Sequence, residues 1–148
     1  MSIKFLVITL LFVYLISFCL PAYFDYSGYD CLIICSQKLL SLLKAEITEL
    51  SLFYYIGFCI SNLLFVTFAL VLLIKESLPR LAKIFQLIIC VHVASWGLLN
   101  LSDLSQLKIG YYLWLGAYIG LTHTALIQAG KIQQADHIGK MSPLNISL

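Results

Sequence analysis

Charge is what this sequence has least of. Asp, Glu, Lys and Arg make up 11% of its 148 residues, whereas a soluble domain carries roughly a quarter. None of the four occurs from Leu50 to Ile74, from Ile84 to Ser102 or from Ile109 to Gly130, and Phe5 to Tyr29 holds one acid, Asp25. This excludes an ordinary water-soluble fold. No Lys/Arg cluster is present, which excludes a nucleic-acid surface. Pro21, Pro79 and Pro143 all fall outside the apolar tracts, so the broken helices typical of transporters are not expected. The ionisable groups inside the tracts are His92 and His123, too few for a proton or ion pathway. No Ser/His/Asp set, Gly-x-Ser-x-Gly motif or His/Glu metal spacing is present, and the chain reads as a non-enzyme with no cofactor and no metal.

What is there is hydrophobic: 61% of the residues, with a mean hydropathy of +0.98. About 20 apolar residues cross ~30 Å of hydrocarbon at 1.5 Å each, and four tracts supply that length. The fold expected is an all-α integral membrane protein, a four-transmembrane-helix bundle with spans at about 3–20, 51–74, 81–101 and 109–130. Between the first two, Leu32, Cys35, Leu39, Leu42, Leu43, Ile47 and Leu50 recur at helical spacing. Residues 30–50 therefore read as a short amphipathic helix on the outer membrane surface, or as an outward extension of the second span. Residues 1–130 form the membrane domain and 131–148 a polar cytoplasmic tail.

The few charges orient the bundle. With the N-terminus inside, the inner segments hold Lys4, Lys75, Arg80, Lys83, Lys131 and Lys140, and the outer ones Lys38, Lys44 and Lys108. Basic residues concentrate on the cytoplasmic side of short loops, so both termini are expected there. The first tract also resembles a signal peptide. Cleavage after Ala22 would leave Leu20 at the position that wants a small residue, so the tract is expected to stay as an anchor.

Span four carries a packing signal. Gly116, Gly120, His123, Ile127 and Gly130 fall on one stripe, and small residues four apart let helix backbones approach in lipid. The stripe is expected to face protein, within the bundle or in an oligomer. Asn62, His92 and His123 lie deep, about 16, 14 and 21 Å from the outer ends of their spans. Each should face the bundle interior, and Asn62 and His92, at one depth, are expected to hydrogen-bond. A bis-His haem site from His92 and His123 is the sharper alternative. Cys19, Cys59 and Cys90 read as small apolar residues, while Cys31 and Cys35 lie outside. Their four-residue step differs from the Cys-x-x-Cys of a disulfide-generating quinone reductase, and the second outer loop has no cysteine.

Leu20-Pro-Ala22, Gly28-Tyr-Asp-Cys-Leu32, Ser61-Asn62-Leu-Leu64 and Gly110-Tyr-Tyr-Leu-Trp-Leu115 together resemble a group of small uncharacterised four-span bacterial inner-membrane proteins. The likeness covers most of residues 1–125. The chain departs from it in span two, with Tyr54–Tyr55 and Asn62-Leu63 where the group has a Trp and an Asn-Pro. The resemblance implies a bacterial inner-membrane address and no activity. The expected partners are the lipid bilayer and a protein or second copy of the chain. The function expected is that of a subunit or sensor in an envelope or antiviral defence assembly. The alternatives are an immunity protein against a pore-forming bacteriocin or toxin, and a haem or quinone redox protein.

Overall fold

The computed structural model describes residues 2–41, 49–75, 78–99 and 105–141. Five helices and a small hairpin follow in order: α1 (Ile3–Cys19), β1 (Pro21–Tyr23), β2 (Tyr26–Ser27), α2 (Gly28–Ser41), α3 (Glu49–Lys75), α4 (Arg80–Leu99) and α5 (Ile109–Met141). The all-α expectation holds apart from the hairpin. Residues 42–48 of the expected amphipathic segment and 142–148 of the tail lie outside the described residues. The first part of that tail is helical, since α5 runs on to Met141.

Each boundary has a local cause. α1 ends at Leu20, whose extended backbone is the conformation that a following proline favours. β1 and β2 then pair antiparallel, Pro21 with Ser27 and Tyr23 with Tyr26, around a two-residue turn in which Phe24 takes φ 49°. α2 begins two residues before the expected Asp30, through a reciprocal cap. The amide and hydroxyl of Ser27 donate to Asp30 Oδ2 at 3.0 and 2.6 Å, and the Asp30 amide donates back to Ser27 Oγ at 3.2 Å. This is the capping-box arrangement with Asp in place of Glu. α4 starts after Pro79, whose carbonyl accepts from the Lys83 amide.

α1 packs against α5 and α3, α2 against α3, and α4 against both α3 and α5. The inward positions recur at helical spacing: Val7, Tyr14 and Ser17 in α1; Phe58, Ser61, Asn62, Phe65 and Leu72 in α3; Gln86, Ile89 and Val93 in α4. Polar side chains are thus among the most deeply buried. Large apolar ones are exposed on every helix: Phe12 is 65% exposed, Leu40 66%, Leu63 68%, Leu81 66% and Ile119 52%. Exposed threonines turn inward on their own helices, Thr9 donating to the Phe5 carbonyl and Thr67 to that of Leu63.

By length and composition, one helix among the described residues is long and apolar enough to cross a membrane, Tyr54–Lys75, with a mean hydropathy of 2.4. α1 is apolar but has 17 residues. α4 carries Arg80, Lys83, Gln86 and His92, and α5 is diluted by Gly, Tyr, Thr and His.

Candidate functional site

One end of the bundle gathers the C-terminal ends of α1 and α4, the start of α5, the N-terminal parts of α2 and α3, and the hairpin. Two glycines permit the convergence. A Cβ on Gly110 would sit 2.7 Å from the carbonyl oxygens of Leu20 and Pro21, and one on Gly28 would sit 2.8 Å from the Phe18 Cα. The hairpin is clasped from above. The Phe24 amide donates to the Gln106 carbonyl at 2.8 Å, the Lys108 amide to that of Ala22 at 3.0 Å, and Tyr23 forms a bridge with Leu107.

Beneath this clasp lies a cavity of about 560 Å³. Phe18 of α1 and Tyr23 and Tyr26 of the hairpin line it, with Cys31 and Cys35 on the α2 side. α3 contributes Tyr54, Tyr55 and Phe58, and Trp96 of α4 with Tyr111 and Trp114 of α5 complete the wall. Among the described residues seventeen line it, of which nine are aromatic and none is Asp, Glu, Lys or Arg. The rings are braced edge to face or tilted: Phe58 against Trp114 at 5.2 Å, Phe58 against Trp96 at 5.8 Å, Tyr54 against Trp96 at 5.6 Å. The column continues into the bundle through Trp114–Tyr118, Tyr118–Phe65 and the stacked pair Phe65–Tyr14 at 4.2 Å.

At the floor, Asn62 joins three helices. Its Oδ1 accepts from the Tyr14 hydroxyl at 3.0 Å and from Trp114 Nε1 at 2.9 Å, while its Nδ2 donates to the Phe58 carbonyl at 2.8 Å. Both acceptor positions of the amide oxygen are therefore occupied. The expected bond to His92 is replaced by these. His92 instead stacks on Tyr54 at 5.9 Å and lies over Gly57, where a methyl group would overlap its imidazole. Without a side chain at Gly57, the histidine closes onto α3.

The span-four stripe is only partly covered by the bundle itself. Gly120 meets a neighbour, Leu10 of α1, but a Cβ on Gly116 would meet nothing within 4 Å, and His123 is exposed. The surroundings of Gly130 lie outside the described residues. The face of α5 that packs is Tyr111, Trp114, Ala117, Tyr118, Leu121, Thr122 and Ala125, because aromatic rings that reach Asn62 and Phe65 fill the seam. His92 thus lies against α3, whereas His123 is exposed on α5. Among the described residues no three His, Cys, Asp or Glu side chains group as metal ligands.

Two features escaped the sequence reading. Gln86, fully buried, donates from Nε2 to Thr122 Oγ1 at 3.1 Å and links α4 to α5. It is a polar residue inside a charge-free tract, the same signal that marked Asn62. The cavity itself had no such signal, because its aromatics come from five separate segments.

The two cavity thiols are free, Cys31 half-buried and Cys35 buried. Burial pushes the Cys35 thiol up to about 12, with the Cys59 and Cys31 thiols adding to the shift; burial and then Asp30 raise Cys31. The thiolate is the nucleophile, so both cysteines act as apolar wall at neutral pH. Asp30 goes the other way, its carboxyl held low by the Ser27 hydroxyl and then the Ser27 amide. A carboxylate lowered on folding stabilises above its unfolded pKa and loses that contribution as pH falls through the lowered value. The start of α2 is therefore fully capped at neutral pH.

The residues of the four motifs noted in the sequence converge here: Ala22, Gly28, Cys31, Gly110 and Trp114 line the cavity, and Asn62 anchors Trp114. No family model, curated protein or solved structure matches the chain.

Proposed function

We propose that the chain is a four-span bacterial inner-membrane protein that acts by binding rather than by catalysis. In this reading α1, α3, α4 and α5 cross the bilayer with both termini in the cytoplasm, and α2 rests at the outer surface. The observation that carries it is the inverted burial: exposed apolar side chains on every helix, with Asn62, Gln86, Ser61 and Thr122 inside. Soluble monomers rarely expose large contiguous apolar patches, whereas polar groups in lipid are placed where they bond within the bundle. The self-bonded hydroxyls of exposed Thr9 and Thr67 fit the same surroundings. The distribution of basic residues supports the orientation.

The binding reading rests on the aromatic cavity and on the raised thiols of Cys31 and Cys35 in its wall. Its partner is a protein or a second copy of the chain, in an envelope or defence assembly. Thiol-reactive labelling of intact cells tests the topology. In a cysteine-free background, Ser2→Cys is expected to be protected and Ser105→Cys labelled; the reverse pattern overturns the orientation. Purification in mild detergent tests the function, with a stoichiometric protein partner or homo-oligomer expected. A solitary monomer with a turnover activity would reject it, and a co-purifying pore-forming toxin would point to immunity instead.

A further inference from the structure

We infer that the outer cavity is a binding site for an uncharged lipophile built on a flat ring, taken up from the bilayer. The inference deepens the binding reading above and rests on it for the source of the ligand. Four observations point to this class of molecule.

The volume, about 560 Å³, lies inside the range of about 300–1,000 Å³ that small-molecule sites occupy. No charged side chain lines the wall among the described residues, so a charged ligand would leave water with none of them to compensate it. The wall presents ring faces and edges, which favour offset or edge-to-face contact with another ring.

The last observation concerns preorganisation. The polar ends of two lining rings are already engaged: Trp114 Nε1 donates to Asn62 at 2.9 Å and the Tyr111 hydroxyl to the Val93 carbonyl at 3.2 Å. These bonds fix the rings before a ligand arrives, and they leave the apolar surfaces turned inward. A preset wall of this kind spends little ordering entropy on a rigid planar guest. A flexible alkyl chain of the same size would have to be ordered as well. Cys31 and Cys35 contribute surface without a reaction.

The chain offers its own probe, because both of its tryptophans, Trp96 and Trp114, line the cavity. The experiment titrates duroquinone into the full-length protein in detergent and reads tryptophan fluorescence; its fully substituted ring resists addition by thiols. Saturable quenching is expected. Cys31→Phe, which fills the cavity from α2, should weaken the affinity about tenfold or more, whereas Cys19→Phe, at an exposed position outside the cavity, should leave it within about twofold. Ala22→Phe fills the cavity from the hairpin and serves if the first variant does not fold. Decalin, a saturated bicycle, should compete about tenfold less well than naphthalene.

Quenching that rises linearly without saturation, or that is unchanged in both filling variants, overturns the site. Equal competition by decalin overturns the flat-ring specificity. The labelling experiment on intact cells reads topology independently. Protection of both cysteines together with saturable quenching removes the bilayer as the source and leaves the site standing, whereas the reversed pattern changes only the side on which the cavity opens.

Discussion

The two faces of α5 show what a small-residue stripe does and does not reveal. One face carries Gly116, Gly120 and His123, a spacing that signals close helix approach. The opposite face carries Tyr111, Trp114, Tyr118 and Thr122, large or polar residues with no such pattern. The second face is the packed one, with Tyr118 fully buried and Trp114 6% exposed, while Gly116 stands open. Small residues permit approach, but they supply little cohesion by themselves. Rings and hydrogen-bonding groups supply it, and here they sit where α1, α3 and α4 can reach them.

The largest expected effect comes from removing the anchor of the packed face. Asn62→Ala leaves the Tyr14 hydroxyl and the Trp114 indole N–H without their shared acceptor. Interhelical hydrogen bonds in membranes are worth about 0.6–1.7 kcal/mol each, and buried donors left unpaired cost about 1–3. A loss of about 2–4 kcal/mol is expected in unfolding titrations with SDS in mixed micelles. Unchanged stability would show that the rings hold the face without the amide. The loss of Trp114 alignment should also shift its emission.

Next in size is the glycine that lets α5 approach α1. In Gly110→Ala, the added methyl would lie 2.7 Å from two backbone oxygens and 2.9 Å from that of Ser17. None of these is a flexible side-chain end, so the helices must separate. Overpacking of this kind costs about 1–3 kcal/mol, and the cavity bordered by Gly110 should open with it. The same unfolding titration measures the cost, and weakened duroquinone quenching reports the distortion.

Much of the helical frame was legible because hydrophobic tracts and prolines act locally. Pro21 and Pro79 mark boundaries that the coordinates share, and the tracts at about 3–20 and 51–74 correspond to α1 and α3. The depth of Asn62 was also readable, because one amide in an apolar tract needs a partner. Which partner was not: equal depth suggested His92, but rotation about the helix axis decides, and it turns Asn62 toward Tyr14 and Trp114. The hairpin was hidden because its pairing depends on Phe24 in the left-handed region and on a loop some eighty residues later. The cavity was hidden for the same reason, being assembled by tertiary contacts from rings that look interfacial one at a time.

The smallest effects should separate the two glycines of the stripe. Replacing an interior helical glycine by alanine gains at most about 1 kcal/mol from propensity. At Gly116 the new methyl meets nothing within 4 Å, so Gly116→Ala should raise stability by up to about 1 kcal/mol and leave the oligomeric state unchanged. At Gly120 it would lie 2.6 Å from Leu10 Cδ2, the far end of a flexible side chain. Leu10 must shift, and Gly120→Ala should come out near zero. A clear destabilisation by Gly116→Ala, with loss of a dimer in cross-linking, would mean that a second copy of the chain covers the open face. The stripe would then be a seam between molecules, and the comparison of the two faces would become one of internal against external packing.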